Sequence, residues 1–285
     1  MIKVLSSGIY SSIQDLGRKG YYSSGVPVSG VMDEYSAQLA NALVNNKVTE
    51  ALLEITYGGS KLLFSDNCKI AITGGDFSVR INEKPVELST ILQVKKGSIL
   101  SFGKRNYGVR TYIAIQGGIR MKSILGSKSF YKGITHKEKL EKGDYIYINE
   151  QIVNENENKF SRIKQKKNHF KTNTIECFEG PEFNLLCSSQ QRIIMETLFT
   201  ITSNSNRMAY FLAEKINNNL PSMLSSGVLP GTIQLTPSGS LIILMKDCQV
   251  TGGYPRILQL TQESIGKISQ KGFNEKVQFK IKSLT

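Results

Sequence analysis

Two glycine-rich stretches of the sequence carry polar side chains that could bind or activate a substrate. In the first, Gln14, Asp15 and Arg18 lie within one turn of the chain, and Gly17 and Gly20 flank the arginine. An arginine held by a carboxylate can grip the carboxylate or phosphate of a substrate through its planar fork. The alternative is a structural ion pair between Asp15 and Arg18 beside a bent loop. Taken alone, these residues favour the structural alternative.

The second stretch, VTGGYPR at 250–256, follows an aliphatic run and Asp247. Gly252 and Gly253 lack the Cβ atoms that keep a backbone away from a ligand or from another strand. A carboxylate at Asp247 beside exposed backbone amides, with the Tyr254 hydroxyl nearby, could orient or deprotonate a substrate amide. The alternative is a tight turn between strands, which is the usual meaning of an isolated Gly-Gly pair.

The composition does not favour the other common catalytic centres. The two histidines, His136 and His169, lie in charged stretches without the pattern of an ordered site, which argues against a histidine–metal centre or a Ser-His-Asp triad. The four cysteines contain no CxxC pair, and we expect four reduced thiols. The phosphate loop GxxxxGK(S/T) and the nucleophile elbow GxSxG are absent from the sequence. Any chemistry must use carboxylates, amides, arginines, hydroxyls and backbone N–H groups, and we predict no metal ligands.

The formal net charge of +13 raises the question of nucleic-acid binding. Much of the excess lies at 159–171, in a stretch rich in Asn, Lys and Gln without aromatic interleaving or a nucleic-acid motif. This pattern is typical of a solvated linker. We therefore predict no nucleic-acid partner.

The sequence does not predict a membrane partner either. The longest aliphatic run, at 241–245, has five residues, whereas a spanning helix needs about 20. Residues 1–15 lack the apolar segment of a signal peptide. We expect a cytoplasmic protein.

Short β-type segments separated by Gly, Asn or Pro turns predict a mainly β protein, built as barrels or sandwiches with a few short helices. The predicted strands lie at 61–64, 69–73, 77–81, 91–94, 99–102, 110–116, 144–148, 174–178, 232–235, 241–245, 256–260 and 277–281.

Apolar spacing predicts two helices. One covers 33–46 with Asp33 as N-cap, and the other covers 188–199, where Ser188 and Gln191 have capping-box spacing. The polar run at 153–172 is the best candidate for a linker between two β-rich halves. A short echo, SSGVPVSG at 23–30 and SSGVLPG at 225–231, weakly supports two similar domains.

Seven motifs in a fixed order give the chain a family resemblance over nearly its whole length. They are SIQDLGRKGYYSSGVPVSGVMDEYSAQLANALVNN, ALLEITYGGSKLLF, IAITGGDF, VRTYIAIQGGI, SNRMAYFL, SSGVLPGTIQL and DCQVTGGYPRI. The chain resembles the allophanate hydrolase subunit 2, or biotin-dependent carboxyltransferase-like, family. The family includes the C-type subunit of the ATP-dependent bacterial 5-oxoprolinase, an antagonist of a sporulation kinase inhibitor and one segment of urea carboxylase.

The resemblance implies two cyclophilin-like β-barrel domains, which we place at 1–165 and 166–285. It also implies a 5-oxoprolinase that opens 5-oxoproline to L-glutamate only as a complex. The implied partners are the B-type subunit, which is a kinase-inhibitor homologue, and the A-type subunit. ATP with Mg²⁺ would then be shared with the partner subunit. The alternatives are a carboxyltransferase component that acts with biotin on a urea-like amide, and a non-catalytic regulator that binds the kinase-inhibitor homologue.

The resemblance also selects the candidate site residues. It implies catalytic roles for Asp247, Asp15 and Arg18, and substrate-binding roles for Gln14, Asp33, Asn41, Glu54, Arg207, Gln234, Gly252, Gly253 and Tyr254. The chain departs from the family pattern at Ala209, where Gly is usual, and at Cys248 and Val250, where Arg and Thr are usual.

Overall fold

A computed structural model describes residues 1–149, 165–221 and 223–283 of the chain. Within these residues the chain forms two compact units. The first comprises Met1–Arg18 and the chain from Ser29 to Lys167, and the second comprises Lys19–Val28 and the chain from Asn168 onward. Residues 153–164 of the predicted linker lie outside the described residues.

The first unit is built from antiparallel strands and one helix. Its elements are β1 (Ile2–Ser7), β2 (Tyr10–Gln14), α1 (Glu34–Leu43), β3 (Leu52–Thr56), β4 (Ser60–Phe64), β5 (Cys68–Asp76), β6 (Arg80–Ile81), β7 (Lys84–Pro85), β8 (Ile91–Val94), β9 (Ile99–Ser101), β10 (Tyr107–Ile115) and β11 (Tyr145–Ile146). One sheet has the order β11-β1-β4-β9-β6-β7, and the other has the order β2-β3-β10-β5-β8.

The five-stranded sheet of this unit is buried on both faces. Successive strand residues point to opposite faces, so Leu53 joins the core shared with the other sheet while Leu52 faces α1. Ala71 and Ala114 share the α1 face and pack with Ala40 of the helix. Because both faces are covered, the central strands read as nearly continuous apolar runs rather than as alternating ones.

The second unit contains one mixed sheet, a short ribbon and three helices within the part of the chain that the structure describes. Its elements are α2 (Lys167–Lys171), β12 (Thr174–Glu179), α3 (Ser188–Glu196), β13 (Phe199–Thr200), β14 (Ala209–Lys215), β15 (Ser226–Gly227), β16 (Thr232–Leu235), β17 (Ser240–Leu244), β18 (Thr251–Gly252), β19 (Arg256–Leu260), α4 (Gln262–Ser269) and β20 (Lys276–Ile281). The first residue of α2, Lys167, is the last residue of the first unit. The sheet order is β13-β20-β12-β19-β16-β17-β14, in which β12 and β20 are parallel. Strands β15 and β18 form the ribbon.

The structure confirms the mainly β prediction. Strands β8, β16 and β19 have the predicted bounds, whereas the segments at 77–81 and 144–148 form only the short strands β6 and β11. The predicted list lacks several strands, of which β14 and β1 are the longest. No described helix is both long and apolar enough to cross a bilayer.

The helix predictions need three corrections. Asp33 caps α1 as predicted, but the capping box of α3 is formed by Cys187 and Gln190, one residue before the predicted pair. Helices α2 and α4 were not predicted. His169, expected in a solvated linker, is buried in α2 beside Phe170, with the ring centroids 5.0 Å apart.

The sequence echo does not correspond to a structural repeat. Ser23 and Ser24 lie in a 3₁₀ turn, Tyr22–Ser24, that ends at Gly25 with a left-handed φ of 74°. The matching Ser226–Gly227 is strand β15, and residues 23–28 belong to the same second unit as residues 225–231. The echo therefore gives no support for two similar domains.

Candidate functional site

The carboxylate of Asp15 holds a loop of the first unit. Its Oδ1 accepts hydrogen bonds from the Gly17 backbone N–H at 2.8 Å, from the Ser127 hydroxyl at 2.6 Å and from the Ser129 hydroxyl at 2.7 Å. Its Oδ2 accepts from the Lys128 backbone N–H at 2.6 Å. Four neutral donors thus surround one carboxylate, and they draw residues 127–129 against the loop that carries Arg18. These are the contacts of a residue that holds a loop, and the catalytic role of Asp15 stays a prediction.

Arg18 and Gln14 contact the same loop through its backbone. Arg18 is among the largest fully buried side chains, and its guanidinium donates to the Ser129 carbonyl. The Gln14 amide nitrogen donates to the Phe130 carbonyl at 3.3 Å and to the Ser12 hydroxyl at 3.0 Å. The structure therefore gathers Gln14, Asp15 and Arg18 around residues 127–130.

The Gln14 carboxamide also leaves an acceptor unused. Its Oε1 atom is buried and has no hydrogen-bond partner among the described residues. A buried acceptor without a donor is unfavourable by about 1–3 kcal/mol. An N–H group of a ligand is one kind of donor that would satisfy it.

Glycine at position 30 lets two loops of this site approach closely. Gly30 has a left-handed φ of 90°, and a Cβ atom there would lie 2.8 Å from the Gly17 nitrogen and 3.0 Å from the Asp15 carbonyl oxygen. The Val31 N–H donates to the same carbonyl at 2.8 Å. Any larger residue would push the 15–18 loop away from residues 29–31.

Glu54 and Asp33 form a second buried polar cluster in the first unit, around Tyr112. Glu54 lies opposite Tyr112 across β3 and β10 and accepts from the Met32 backbone N–H at 2.8 Å. The Asp33 backbone N–H donates to the Tyr112 hydroxyl at 2.8 Å. Burial raises the pKa of Tyr112 well above its usual range, and the Glu54 and Asp33 carboxylates raise it further. The cluster fixes the start of α1 on the sheet.

The other contacts of this cluster are also structural. The Asp33 carboxylate accepts from the Ser36 backbone N–H at 3.3 Å and from its hydroxyl at 2.6 Å, which is an N-cap. The Arg110 Nε atom lies 3.8 Å from Glu54 Oε1. Substrate-binding roles of Asp33 and Glu54 stay predictions.

Asn41 lies near the C-terminal end of α1. Its side-chain nitrogen donates to the Glu50 carbonyl at 2.8 Å, and its oxygen accepts from Asn46 at 3.2 Å. These contacts close the turn between α1 and β3. They do not bring Asn41 to the loop at 127–130.

Arg207 and Asp247 form a two-pronged ion pair in the second unit. The Arg207 Nε and one terminal nitrogen donate to the two Asp247 oxygens at 2.7 and 3.1 Å. The side chains are 8% and 13% exposed, and the Asp247 backbone N–H donates to the Arg207 carbonyl at 3.0 Å. The carboxylate that the sequence suggested as a base is therefore engaged by an arginine fork.

The residue after Asp247 lies in an apolar environment. Cys248 packs in a small buried cluster with Leu244 and Val228. Burial, and then the Asp247 carboxylate, raise the pKa of its thiol to about 12. Burial, and then Cys248, raise the pKa of the Tyr22 hydroxyl to about 12 as well. Both groups are neutral at physiological pH.

Gln234 meets the Gly-Gly-Tyr segment in the interior of the second unit. A Cβ atom at Gly252 would lie 2.6 Å from the Gln234 Nε2 atom, so a larger residue would displace the end of the Gln234 side chain. The same nitrogen donates to the Tyr254 carbonyl at 3.2 Å, while the Tyr254 side chain is 39% exposed. At Gly253 the nearest atom to a Cβ would be the Met223 carbonyl oxygen at an ordinary 3.4 Å. The glycine pair is thus more than a turn: its first member makes room for a buried glutamine.

Sequence reasoning did not select the partners that hold these residues. Ser127 and Ser129 lie 112 and 114 positions after Asp15, and no local pattern links them to it. Arg256 and Glu182 form a second two-pronged ion pair, at 3.0 and 2.8 Å. Arg256 could have been selected as a candidate because it is the last residue of the VTGGYPR stretch.

The predicted residues thus fall into separate sets. Gln14, Asp15 and Arg18 form one in the first unit, and the second unit holds Arg207 with Asp247 and Gln234 with the glycines. The hypothesis that Arg18 and Asp247 act in one reaction joins residues of two units and stays a prediction.

No group of three or more His, Cys, Asp or Glu residues in the described ranges could hold a metal ion. The sequence GSKS at 126–129 resembles part of a phosphate loop, but Asp15 already binds Ser127 and Ser129, and Lys128 Nζ pairs with Glu50 at 2.6 Å. These residues do not fit a site for Mg²⁺ or for ATP phosphates.

Comparison with known protein families identifies the family of this chain. A family model described as the carboxyltransferase domain, subdomain A and B, matches residues 24–281. The chain belongs to this family. It is 31% identical to the C-type subunit of 5-oxoprolinase from Escherichia coli (strain K12), and the alignment covers 98% of this chain and 90% of that protein.

Two urea amidolyases are also similar. The chain is 40% identical to urea amidolyase of Lachancea kluyveri over 153 residues, which are 52% of this chain and 8% of that protein. The crystal structure of the K. lactis urea amidolyase superposes with a TM-score of 0.84 at 27% identity, covering 98% of this chain and 18% of that one. The chain thus corresponds to a small part of these long proteins and to nearly all of the E. coli relative.

Proposed function

We propose that this chain is the C-type subunit of an ATP-dependent 5-oxoprolinase, which opens 5-oxoproline to L-glutamate. The observation that carries the proposal is the alignment with the E. coli 5-oxoprolinase chain, which spans nearly all of both proteins. The alignment with the Lachancea kluyveri urea amidolyase, by contrast, covers about half of this chain and 8% of that protein.

The chemistry of 5-oxoproline supports roles for the first-unit residues. The substrate carries a carboxylate and a lactam N–H, and the reaction breaks the lactam C–N bond. An arginine such as Arg18 matches a carboxylate through its fork, and the unsatisfied Oε1 of Gln14 matches an N–H donor. Asp15 would act through the loop at 127–129, which it orders.

The second unit supplies groups suited to an amide carbonyl. The Gln234 carboxamide is buried beside Gly252, and a hydrogen bond to the Tyr254 carbonyl fixes its N–H donors. Such preorganised donors stabilise the negative charge that develops on a carbonyl oxygen under attack. Asp247 fixes the orientation of the Arg207 guanidinium through their ion pair, and we assign the pair a role in turnover.

ATP would supply the free energy that makes hydrolysis of the lactam favourable. Residues 126–129 do not fit its phosphates or its Mg²⁺, because Asp15 and Glu50 already bind their side chains, so we assign none of them to the nucleotide. We propose that ATP with Mg²⁺ is held by the partner subunits or shared with them. The proposed partners are the kinase-inhibitor homologue, which is the B-type subunit, and the A-type subunit. The chain alone should have negligible activity.

A second candidate is the carboxyltransferase component of a biotin-dependent urea carboxylase. The name of the matching family model and the similarity to urea amidolyases favour it. Under this alternative the partner would be a biotin carrier and the substrate a urea-like amide. Genes for biotin enzymes beside this one would favour it, and genes for the A-type and B-type subunits would favour the first proposal.

One assay separates the two candidates. The purified chain is mixed with ATP and Mg²⁺ and offered either 5-oxoproline with the A-type and B-type subunits, or urea and bicarbonate with the same subunits, a biotinylated carrier and a biotin carboxylase that charges the carrier. The proposal predicts glutamate release from 5-oxoproline and no ATP-dependent consumption of urea. Urea consumption without glutamate release, from folded and assembled subunits, would replace it with the carboxyltransferase alternative.

A further inference from the structure

The β15/β18 ribbon carries Gly252 but is too short to hold itself in place. It consists of two residue pairs, Ser226 with Gly252 and Gly227 with Thr251. An isolated two-stranded ribbon is at best marginally stable in water, even when it is longer than this one. Contacts from outside the ribbon must therefore fix its position.

Arg256 makes such a contact, and all three nitrogens of its guanidinium donate hydrogen bonds. One terminal nitrogen donates to the carbonyl of Gly227 in the ribbon at 3.0 Å. The Nε atom and the other terminal nitrogen donate to the two Glu182 oxygens at 3.0 and 2.8 Å. The Arg256 backbone N–H donates to Glu182 as well, at 2.8 Å. Glu182 thus sets the plane of the guanidinium, and the guanidinium holds the ribbon.

The ribbon position matters because of what lies beneath it. A Cβ atom at Gly252 would lie 2.6 Å from the Gln234 Nε2 atom, so a side chain there would displace the Gln234 amide. The Gln234 amide in turn binds the Tyr254 carbonyl at 3.2 Å. A shift of the ribbon would therefore move Gly252 away from Gln234 and release Tyr254 from its present orientation.

We propose that Glu182 and Arg256 are positioning residues for the reaction: their ion pair fixes the β15/β18 ribbon, which sets the geometry of Gln234, Gly252 and Tyr254. The kinetic part of this inference rests on the proposed function. The structural part concerns the order of the ribbon and can be measured without any activity.

The sharpest variant is Arg256→Lys. It keeps the positive charge, but a single ammonium cannot reproduce the planar fork that reaches both Glu182 and the ribbon. Glu182→Gln is the companion variant, because it keeps the shape of the acceptor and removes its charge. Glu263→Gln is the matched control, since Glu263 forms an ion pair with Lys267 on the surface of α4 and is 63% exposed.

The first measurement is hydrogen–deuterium exchange of the purified chain, read on peptides that contain 226–228 and 251–253. Loss of a charge-assisted hydrogen bond should raise exchange in the ribbon at least about tenfold in Arg256→Lys and less in Glu182→Gln. Peptides from β17, and all peptides of the control, should keep their wild-type rates. Unchanged exchange in the ribbon of both variants would overturn the proposal.

The second measurement is the kinetics of the assembled 5-oxoprolinase complex. If the ribbon positions substrate-binding groups, Arg256→Lys should raise KM for 5-oxoproline about tenfold and change kcat by less than about threefold. A structural role alone would lower the melting temperature and leave the KM of the folded enzyme unchanged, which would overturn the proposal. An inactive wild-type complex would contradict the proposed function, and the exchange measurement would still decide whether the pair holds the ribbon.

Discussion

Asp15 in the first unit and Asp247 in the second are both aspartates of glycine-rich stretches, but their carboxylates bind different kinds of partner. Asp15 accepts four hydrogen bonds from neutral donors, two of them backbone N–H groups. Asp247 accepts two from the guanidinium of Arg207. The Asp15 carboxylate therefore fixes the position of a loop, and the Asp247 carboxylate fixes the orientation of the Arg207 side chain.

This difference indicates what each residue can contribute to a reaction. The contacts of Asp15 are spread over residues 127–129, so its loss should disturb a segment of backbone. The contacts of Asp247 converge on one side chain, so its loss should release the Arg207 guanidinium from the two hydrogen bonds that fix its plane. We expect the first change to act on stability, and the second to lower turnover as well as stability.

The largest expected effect comes from Asp247→Asn in the assembled complex. The change keeps the shape of the side chain but removes the charge that orients Arg207. If that charge acts in the transition state, turnover should fall about a hundredfold, or about 2.7 kcal/mol. Turnover and melting temperature are measured on the same samples. A lowered melting temperature with near-normal turnover would make Asp247 a structural residue and remove the contrast with Asp15.

The next effect concerns the stability of Asp15→Asn. The new amide group must face donors that now point at a carboxylate, which should cost about 2 kcal/mol of unfolding free energy. For a unit of this size, each kcal/mol lowers the melting temperature by roughly 2–4 °C. Thermal unfolding, followed by circular dichroism, measures the melting temperature of each variant. Asp66→Asn is the control, because that carboxylate is 61% exposed and its loss should change the melting temperature little. Equal melting temperatures for the two variants would contradict the loop-ordering role.

A smaller effect is expected in the pH dependence of stability, through the Glu182 carboxylate that Arg256 binds. The hydrogen bond from Arg256 lowers the pKa of Glu182 below its ordinary 4.5. A lowered folded-state pKa stabilises the protein above the unfolded pKa, and this contribution is lost as the pH falls through the folded value. The urea midpoints of wild type and Glu182→Gln should therefore differ at pH 7 and converge below about pH 4.5. A difference that stays constant between pH 7 and pH 3.5 would exclude this linkage.

The smallest effect is a labelling pattern that reports on the Asp247 region. Cys187 is exposed, and hydrogen bonds from the Ser189 hydroxyl and then the Gln190 backbone lower the pKa of its thiol. Cys248 is buried with a raised pKa. At pH 7.5, iodoacetamide should alkylate Cys187 and spare Cys248, as read by mass spectrometry. In Asp247→Asn, slow labelling of Cys248 should appear while Cys187 serves as the internal standard. Rapid labelling of Cys248 in the wild type would contradict the buried environment.

Local pattern predicted the fold best where strands are apolar and bounded by turns, as in β8, β16 and β19. The local pattern failed to predict elements whose residues have mixed propensities for strand or helix. Strand β14 contains Ala, Glu and Lys beside its aromatic residues, and α4 carries Gly266 in its interior, which lowers helix propensity. In both cases tertiary packing decides the structure. His169 was misjudged for the same reason, because a basic sequence context does not show that a helix buries it.

For the candidate site, local sequence indicated which residues to consider but not what they bind. Asp15 and Arg18 are neighbours in sequence, yet both are held by a loop more than a hundred residues away. The partner of Asp247 lies 40 residues before it. Asp33 as an N-cap and glycine at 252 could be explained in advance, because helix capping and the small size of glycine act locally. Partner choice is set by the fold, so the roles of these residues could not be predicted from spacing.

The most direct test of the central claim is a titration of this chain into a fixed amount of the A-type and B-type subunits. The measured quantity is the rate of glutamate release from 5-oxoproline with ATP and Mg²⁺. If the chain is the C-type subunit, the rate should be negligible without it, rise in proportion to the amount added and saturate at a fixed ratio to the kinase-inhibitor homologue. A mixture of the other two subunits that releases glutamate equally fast without this chain would contradict the claim, and so would a full mixture of folded subunits that releases none.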